Sequence, residues 1–349
     1  MDDMGEVPGA SDPTKTLVSV GRPQEAIRGC CSLCGSPLVA DPARKGVNIC
    51  PHCHTVQKAA APEFSPGSVI GDYRILKKMA QGGMGTLYLC CPLSDLSVRY
   101  VLKTLRLGLG DNQAVCAKRF RRESQLLSCL NHENIVRIYD SWSDDYSAYI
   151  VMQYIDGSNL ESVRKQNLYL FDEEVVTQIM QVLAEALNYA WETMKLLHRD
   201  IKPSNIMIDN EGHLYLLDFG IAKSLAEEES TVLTVTGHGL GTPGYMSPEQ
   251  FRNTTKLDCT TDIYSLGATM YFLVTGEAPF KGKNPNAIFN AMLKQDPVPL
   301  HECNPAISEH FSQLIQQTLN RDPKKRPFSW KQLLVSLERV MNGEPPLQI

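Results

Sequence analysis

The sequence lacks an uninterrupted apolar run long enough to cross a bilayer, which takes about 18 residues. Its longest apolar stretch, 263–274, is interrupted by serine, glycine and threonine, and this pattern predicts a buried helix. The N-terminus also lacks a basic region followed by an apolar run, which argues against a secretory signal peptide. We therefore expect no membrane span and a location in the cytoplasm. Because the sequence ends shortly after its last predicted helix, near Met341, we also expect any regulator to act from inside the cell.

The chain has no excess of positive charge. Lysine and arginine number 34 against 39 aspartates and glutamates, which gives a formal net charge of −5 at pH 7. This balance argues against nucleic acid and anionic membrane surfaces as partners. What is present is ordinary globular material, 349 residues with 43% hydrophobic and 21% charged, which is enough for two or more folded units.

Patterns of apolar residues predict a two-lobed α+β main domain at 73–342. Strand-like runs and one helical segment predict a small β-rich lobe at about 73–151. Helical spacing dominates beyond Gly157 and predicts a larger helical lobe at about 157–342. The strand-like runs are 87–90, 100–105 and 135–139, and the helical segment is 117–130. The flanking segments are a disordered leader at 1–28, a Cys-rich unit at 29–58, a linker at 59–72 and a tail at 343–349.

Four cysteines form two knuckles, Cys31-x2-Cys34 and Cys50-x2-Cys53, near the N-terminus. This spacing lets four thiolates surround one structural Zn²⁺, as in a zinc ribbon, with disulfides as the main alternative. Neighbours that could substitute as ligands are Cys30, His52 and His54. Because the surrounding segment is nearly neutral, we expect the ribbon to contact protein or regulate the main domain instead of binding nucleic acid.

A glycine-rich segment joins two predicted strands of the small lobe. Gly82, Gly83 and Gly85 could bring backbone N–H groups close to phosphate oxygens, although such a segment alone is more often just a turn. Lys103 ends a buried-strand pattern, and a charge there needs a partner or a ligand. Glu123 is the candidate partner, and the alternative is that it is one more charge on a solvated helix face.

Two further segments carry a family resemblance. The sequence HRDIKPSN at 198–205, followed by LDFG at 217–220, resembles the signature set of protein kinases, and the resemblance extends from about Tyr73 to Val340. It implies the bilobal protein kinase fold. It also implies transfer of the γ-phosphate of ATP to serine or threonine hydroxyls of protein substrates.

The resemblance assigns a role to each catalytic residue. Asp200 accepts or orients the attacking hydroxyl, and Lys202 contacts the γ-phosphate. Lys103, held by Glu123, neutralises the α- and β-phosphates. The residues implied as ligands of Mg²⁺, for which Mn²⁺ could substitute, are Asn205 and Asp218; their oxygen atoms suit such a hard cation.

The nucleotide site follows by the same analogy. Adenine is expected against the connection between the lobes, with main-chain contacts from Gln153 and Ile155 and with Met152 at the gatekeeper position. Ala80 replaces the first glycine of the family loop, which we expect to reduce loop freedom without abolishing activity. The loop residues assigned to ATP are Ala80, Gly82, Gly83 and Gly85.

The segment 241–249 (GTPGYMSPE) resembles the family's substrate-positioning segment, and Thr242 together with Lys202 is the serine/threonine-kinase pattern. Glu249 is expected to pair with Arg326, and Asp262 to anchor the catalytic loop from a buried helix. These two expectations concern structure and not catalysis.

Arg199 usually marks kinases that are switched by phosphorylation of the activation loop. The resemblance places the phosphosites at Thr234 and Thr236, and implies a transient homodimer for autophosphorylation in trans; the alternative is that both are ordinary polar loop residues. Two rival functions are a pseudokinase scaffold and a nucleic-acid-binding adaptor. Neither explains the complete catalytic set, so an active serine/threonine kinase is the favoured interpretation.

Overall fold

The computed structural model describes residues 36, 39–40, 47–53, 56–58, 63–82, 85–106, 113–144, 147–167, 171–219, 243–252, 254 and 257–349. The chain divides into two compact units, Met1–Ala60 and Ala61–Ile349. The strands of the first unit are β1 (Val39–Ala40), β2 (Val47–Ile49) and β3 (Val56–Lys58). They form an antiparallel sheet in the order β1-β2-β3. Cys50 directly follows β2 and begins the turn that leads to Cys53.

The second unit begins with a six-stranded antiparallel sheet in the order β4-β5-β6-β7-β9-β8. Its strands are β4 (Val69–Ile70), β5 (Tyr73–Gly82), β6 (Gly85–Pro92), β7 (Tyr100–Arg106), β8 (Ile138–Ser143) and β9 (Ser147–Gln153). Helix α1 (Gln113–Ser128) lies between β7 and β8 in the sequence. Together these elements form the β-rich lobe.

Strand alternation explains why both faces of this sheet are buried. Successive side chains of a strand point to opposite faces. On the inner face, Val101 and Leu105 of β7 pack in one cluster with Phe120 of α1. On the outer face, Leu102 of β7 packs in a separate cluster with Tyr149 of β9. Aromatic residues fill this outer cluster, since Trp142 stacks on Tyr149 at 5.1 Å between ring centroids.

The described part of the expected linker, 63–72, belongs to the β-rich lobe. It supplies β4, and the ring of Phe64 packs in the outer cluster. Backbone bonds fix this segment to β5, because the Gly67 N–H donates to the Ile75 carbonyl and the Ile75 N–H donates to the Ser68 carbonyl, both at 2.8 Å. The ordered lobe therefore starts before Tyr73, where the sequence predicted its beginning.

The remaining elements build a helical lobe. Its small sheet has the order β10-β11-β12, with β10 (Gly157–Asn159), β11 (Ile206–Asp209) and β12 (Leu214–Leu216). Its first helices are α2 (Leu160–Gln166), α3 (Glu173–Met194), α4 (Pro248–Phe251) and α5 (Cys259–Thr275). The later helices are α6 (Pro285–Lys294), α7 (Leu300–Cys303), α8 (Glu309–Thr318) and α9 (Trp330–Met341). Both lobes contribute to one large core cluster.

Helix α5 runs through the centre of the helical lobe, and each of its residues from Cys259 to Val274 is buried. The Asp258 side chain caps its N-terminus by accepting from the Thr260 N–H. Gly276 ends it with φ of 79°, a left-handed conformation that glycine adopts without steric cost. Because α5 is buried on all sides, it provides a rigid support for the loops that contact it.

Two element boundaries differ from the sequence-based expectation. The strand predicted at 135–139 begins at Ile138, because Ile135 instead forms a bridge to Leu216 and so connects the two lobes. The predicted tail at 343–349 packs on the helical lobe. Its Leu347 N–H donates to the Ser336 hydroxyl at 3.3 Å, and the Leu347 carbonyl accepts from the Gln317 amide at 3.0 Å.

Within the described residues, no helix combines the length and the apolar character needed to cross a membrane.

Candidate active site

One carboxylate of α5 forms hydrogen bonds to the backbone of the loop at 198–200. Asp262 is 1% exposed, and its two oxygens accept the backbone N–H groups of His198 at 2.6 Å and Arg199 at 2.8 Å. Arg199 has a φ of 62°, a left-handed conformation that costs free energy in a residue with a side chain. The two hydrogen bonds to Asp262 therefore stabilise a loop conformation that its sequence alone disfavours.

Asp200 lies next, with polar partners on two sides. Its Oδ2 lies 2.8 Å from the Lys202 ammonium. The Asn205 amide donates to the same Oδ2 and to the Asp200 carbonyl, each at 2.9 Å. A cation and an amide thus fix the orientation of one half-buried carboxylate, because both donate to the same oxygen.

Lys103 and Asp218 bring the two lobes together at the other side of the site. The Lys103 ammonium on β7 lies 2.6 Å from Oδ1 of Asp218, which follows β12. Asp218 has a φ of 56°. Beside it, the His198 ring contacts the Leu217 carbonyl at 2.7 Å and packs on the Phe219 ring at 4.7 Å between centroids. The backbone around Asp218 is therefore fixed from the loop that carries Asp200.

The glycine-rich hairpin is formed by β5 and β6, with Gly82 opposite Gly85. A Cβ atom on Gly85 would lie 1.8 Å from the Thr104 carbonyl oxygen, and its φ is 157°, so no other residue fits there. A Cβ on Gly82 would meet nothing within 4 Å. The glycine at 85 is thus required by packing, whereas the one at 82 leaves open space.

The connection between the lobes follows β9. Met152 and Ile155 are each 7% exposed and belong to the large core cluster. The Gln153 N–H donates to the Arg137 carbonyl at 2.9 Å. Met152 therefore packs in the core, as a gatekeeper position also would.

A family model described as the protein kinase domain matches residues 73–336. This chain belongs to the protein kinase family. The kinase is 33% identical to the serine/threonine-protein kinase PknB of Mycobacterium leprae over 289 residues, which cover 82% of this chain and 44% of that protein. It is 36% identical to the serine/threonine-protein kinase PrkC of Bacillus subtilis over 261 residues, 74% of this chain and 39% of the relative. The chain spans less than half the length of these curated relatives.

Solved structures show the same fold. The apo form of PpkA-294 aligns with the kinase at a TM-score of 0.65 and 24% identity, covering 78% of this chain and all of the other. The PknI kinase domain of Mycobacterium tuberculosis aligns at 0.62 and 21% identity, covering 80% of this chain and all of the other. The predicted bilobal kinase fold, with a β-sheet lobe and a helical lobe, is confirmed.

A buried ion pair braces the helical lobe of the kinase. Arg326 is fully buried and donates to both oxygens of Glu249, at 2.7 and 3.0 Å. Burial alone would raise the pKa of Glu249, but the hydrogen bonds and charge of Arg326 hold it below its ordinary value. The Asn320 and Thr260 carbonyls accept two further Arg326 hydrogens, at 2.7 and 2.9 Å. These hydrogen bonds within the protein favour a structural role for Arg326.

The sequence argument missed Gln250. Its amide nitrogen donates to the Arg199 carbonyl at 2.9 Å, and its amide oxygen accepts from the Ser247 N–H at 3.0 Å. The second contact is part of a capping box that begins α4. A serine followed three residues later by glutamine is a signal for such a box and could have identified the Ser247–Gln250 contact, but not the long-range contact to Arg199.

Several sequence-based expectations about site residues stay predictions. Glu123 lies half-buried on α1, and its pairing with Lys103 stays a prediction. The residues that lie outside the described part of the chain are Cys31, Cys34, Gly83, Thr234, Thr236 and Thr242. Within the described part, no group of three or more potential metal ligands is assembled. The other two expected zinc ligands are described: Cys50 is fully buried, and its sulfur accepts from the Cys53 N–H at 3.4 Å.

Proposed function

We propose that this chain is an active serine/threonine protein kinase that transfers the γ-phosphate of ATP to hydroxyl groups of proteins. The observation that carries the proposal is Asp200, whose carboxylate is oriented by Lys202 and Asn205. Relatives named as serine/threonine kinases support the substrate class. A pseudokinase scaffold would have no need of this arrangement.

Asp200 is the group that accepts or orients the proton of the attacking hydroxyl. Its side chain is 11% exposed, so a substrate hydroxyl can reach it while bulk water is largely kept away. Lys202 places a positive charge beside Asp200, where it can stabilise the negative charge on the oxygens of the transferring phosphoryl group. Asn205 holds the carboxylate in one orientation, which lowers the entropic cost of reaching the reactive geometry.

ATP would lie between the glycine-rich hairpin and the connection after β9. Lys103 supplies the cation for the α- and β-phosphates, and Glu123 is proposed to hold it. Gly85 lets strand β6 of the hairpin lie close to β7, because glycine has no side chain that would separate these two strands. The proposed adenine contacts are the backbone of Gln153 and Ile155, with Met152 behind the ring.

The donor set suits a hard divalent cation. Asp218 and Asn205 offer carboxylate and amide oxygens, the ligand types that Mg²⁺ prefers and Mn²⁺ accepts. When bound, the metal would neutralise charge on the phosphate oxygens. Lys103 lies beside Asp218, so the cation for the phosphates and the metal-binding carboxylate are side by side.

The test is phosphate transfer from Mg-ATP to the chain itself and to a generic protein acceptor. The comparison is between the wild type and Asp200→Asn, with nucleotide binding and the unfolding temperature measured for both. We expect transfer by the wild type that is lost in the variant, with binding and folding unchanged. Wild-type protein that binds ATP and transfers nothing would shift the interpretation to a scaffold.

We also propose that the kinase is switched by autophosphorylation at Thr234 and Thr236, through a transient homodimer. Support comes from Arg199, which lies beside Asp200 and is held in place by Asp262. Thr242 is proposed to position the substrate in the same loop. Mass spectrometry should find phosphate on these threonines after incubation with Mg-ATP, at a rate per molecule that rises with enzyme concentration. A rate independent of concentration would exclude transfer between copies.

For the first unit we propose a structural Zn²⁺ held by four thiolates. The support is the Cys50-x2-Cys53 turn, in which a buried sulfur accepts a backbone N–H. Such hydrogen bonds stabilise thiolates in metal knuckles. Cys31 and Cys34 are proposed to complete the site, which would contact protein partners or regulate the kinase.

Metal analysis tests the zinc proposal independently of activity. We expect about one zinc per chain after dialysis, and its loss in Cys50→Ser. The matched control is Cys129→Ser, an exposed cysteine on the second unit, which should keep the metal. Absence of zinc from the wild type, with a disulfide found between these cysteines, would favour the alternative.

A further inference from the structure

A short segment at 63–70, here called the strap, covers the outer face of the β-rich lobe. At its start, the Phe64 ring lies 5.5 Å from the Tyr88 ring and 6.4 Å from the Tyr149 ring, between centroids. The Phe64 N–H also donates to the Tyr88 hydroxyl at 3.2 Å. At its end, Val69 and Ile70 pair with β5. The strap is therefore fixed to the sheet at both ends.

Tyr88 connects the strap to the nucleotide side of the sheet. It is fully buried on β6 and lies opposite Leu102 of β7. Its neighbour Leu87 lies opposite Lys103, and successive side chains of a strand point to opposite faces. Phe64 thus packs against the back of the same two strands whose front carries Leu87 and Lys103.

The strap also reaches the first strand of the glycine-rich hairpin. Glu63 forms an ion pair with Lys78 of β5, and the Lys78 ammonium donates to the Gln81 side chain at 2.7 Å. Gln81 lies opposite Thr86, one residue from the Gly82–Gly85 pair. Because Glu63 is 66% exposed, this ion pair contributes little, and Phe64 is the main contact.

We propose that Phe64 is a positioning residue for nucleotide binding. Seated on Tyr88, it keeps β6 against β7, so that the Gly85 backbone and the Leu87 side chain stay next to Lys103. This inference rests on the proposed kinase activity. Without the Phe64 ring, β6 can shift away from β7. The glycine-rich hairpin then binds ATP more weakly, both before and during phosphate transfer.

The experiment uses the full chain and compares Phe64→Ala with Val69→Ala. Val69 lies in the same strap but is 50% exposed, so its variant controls for changes in the strap that do not touch Tyr88. We expect Phe64→Ala to raise KM for ATP about fivefold or more with kcat changed less than about twofold, which is the pattern of binding lost equally in the ground state and the transition state. Binding of a fluorescent ATP analogue should weaken by a similar factor. Val69→Ala should match the wild type.

Two further variants keep the inference testable if Phe64→Ala does not fold. Phe64→Tyr retains the ring and should restore KM. Tyr88→Phe removes only the hydroxyl that accepts the Phe64 N–H, and should raise KM in the same direction but less. A lower unfolding temperature with unchanged KM and analogue affinity would overturn the proposal and leave a purely structural role. Failure of the kinase proposal is distinguishable, because the wild type itself would then transfer no phosphate.

Discussion

The Lys103 ammonium lies 2.6 Å from the Asp218 carboxylate, and this contact joins a strand of the β-rich lobe to a segment of the helical lobe. Lys103 is 13% exposed and Asp218 is 32% exposed, so the pair is partly removed from water. Two opposite charges in this setting hold the lobes at a defined separation. Each also depends on the other, because an unpaired charge in a partly buried place is costly.

Replacing Lys103 with methionine is expected to lower kcat/KM for phosphate transfer by more than about 100-fold. The variant loses the proposed cation for the phosphates and leaves the Asp218 carboxylate without this partner. Steady-state kinetics with Mg-ATP measure the effect. Lys118→Met, at an exposed position on α1, is the matched control and should retain activity. Equal activity of the two variants would contradict the role of Lys103.

Asp262→Asn is expected to lower kcat while leaving KM for ATP within about twofold. An amide has one acceptor oxygen where the carboxylate uses two, so either the His198 or the Arg199 N–H loses its partner. The lost bond costs about 1–3 kcal/mol of folding free energy, measured by urea unfolding. Asp258→Asn is the control, because asparagine caps the same helix as well as aspartate does. A variant with normal kcat would show that Asp262 does not order the loop.

Short motifs made the family predictable from the sequence. Asp200, Lys202 and Asn205, the proposed catalytic set, lie within six residues of one another, so the motif can be recognised without knowing the fold. Predicting the lobes was also straightforward, because β7 is a short run rich in apolar strand-forming residues and the helical spacing of apolar residues in α3 is regular. These signals depend only on residues close together in the sequence, so they can be recognised without a structure.

Contacts between distant segments were not predictable. The sequence predicts a linker for the strap, since Pro66 and Gly67 interrupt regular secondary structure. The residue that anchors it, Tyr88, lies 24 residues from Phe64 in the sequence. Ile135 was assigned to a strand because its neighbours are β-branched, yet its partner is Leu216 in the other lobe. In each case the deciding interaction is tertiary, and propensity carries no information about it.

Gly267→Ala is expected to destabilise the helical lobe by more than about 2 kcal/mol. A Cβ at this position of α5 would lie 1.9 Å from the Thr318 hydroxyl oxygen and 2.8 Å from its Cβ. Helix α5 and helix α8, which ends at Thr318, must then move apart, although alanine has a higher helix propensity than glycine. Thermal and urea unfolding measure the loss. Adding Thr318→Ala should recover part of it, and no recovery would place the strain elsewhere.

The Glu249–Arg326 pair predicts a defined dependence of stability on pH. The pKa of Glu249 is lowered from 4.5 in the folded protein, where burial opposes the shift and Arg326 outweighs it. A carboxylate with a depressed folded pKa stabilises the fold fully above its unfolded pKa, and the contribution is lost as pH falls through the folded value. Glu249→Gln is therefore expected to be about 3–5 kcal/mol less stable than wild type near neutral pH, with Arg326 left buried beside a neutral group.

Below pH 4.5 this difference should shrink, because protonation removes the same charge from the wild type. Urea unfolding of both proteins at a series of pH values between about 7 and 3.5 measures it. Glu277→Gln is the control, since Glu277 pairs with Lys281 at an exposed site and should cost no more than about 1 kcal/mol at any pH. A gap between wild type and Glu249→Gln that stays constant into acid would mean that the carboxylate charge is not what stabilises Arg326.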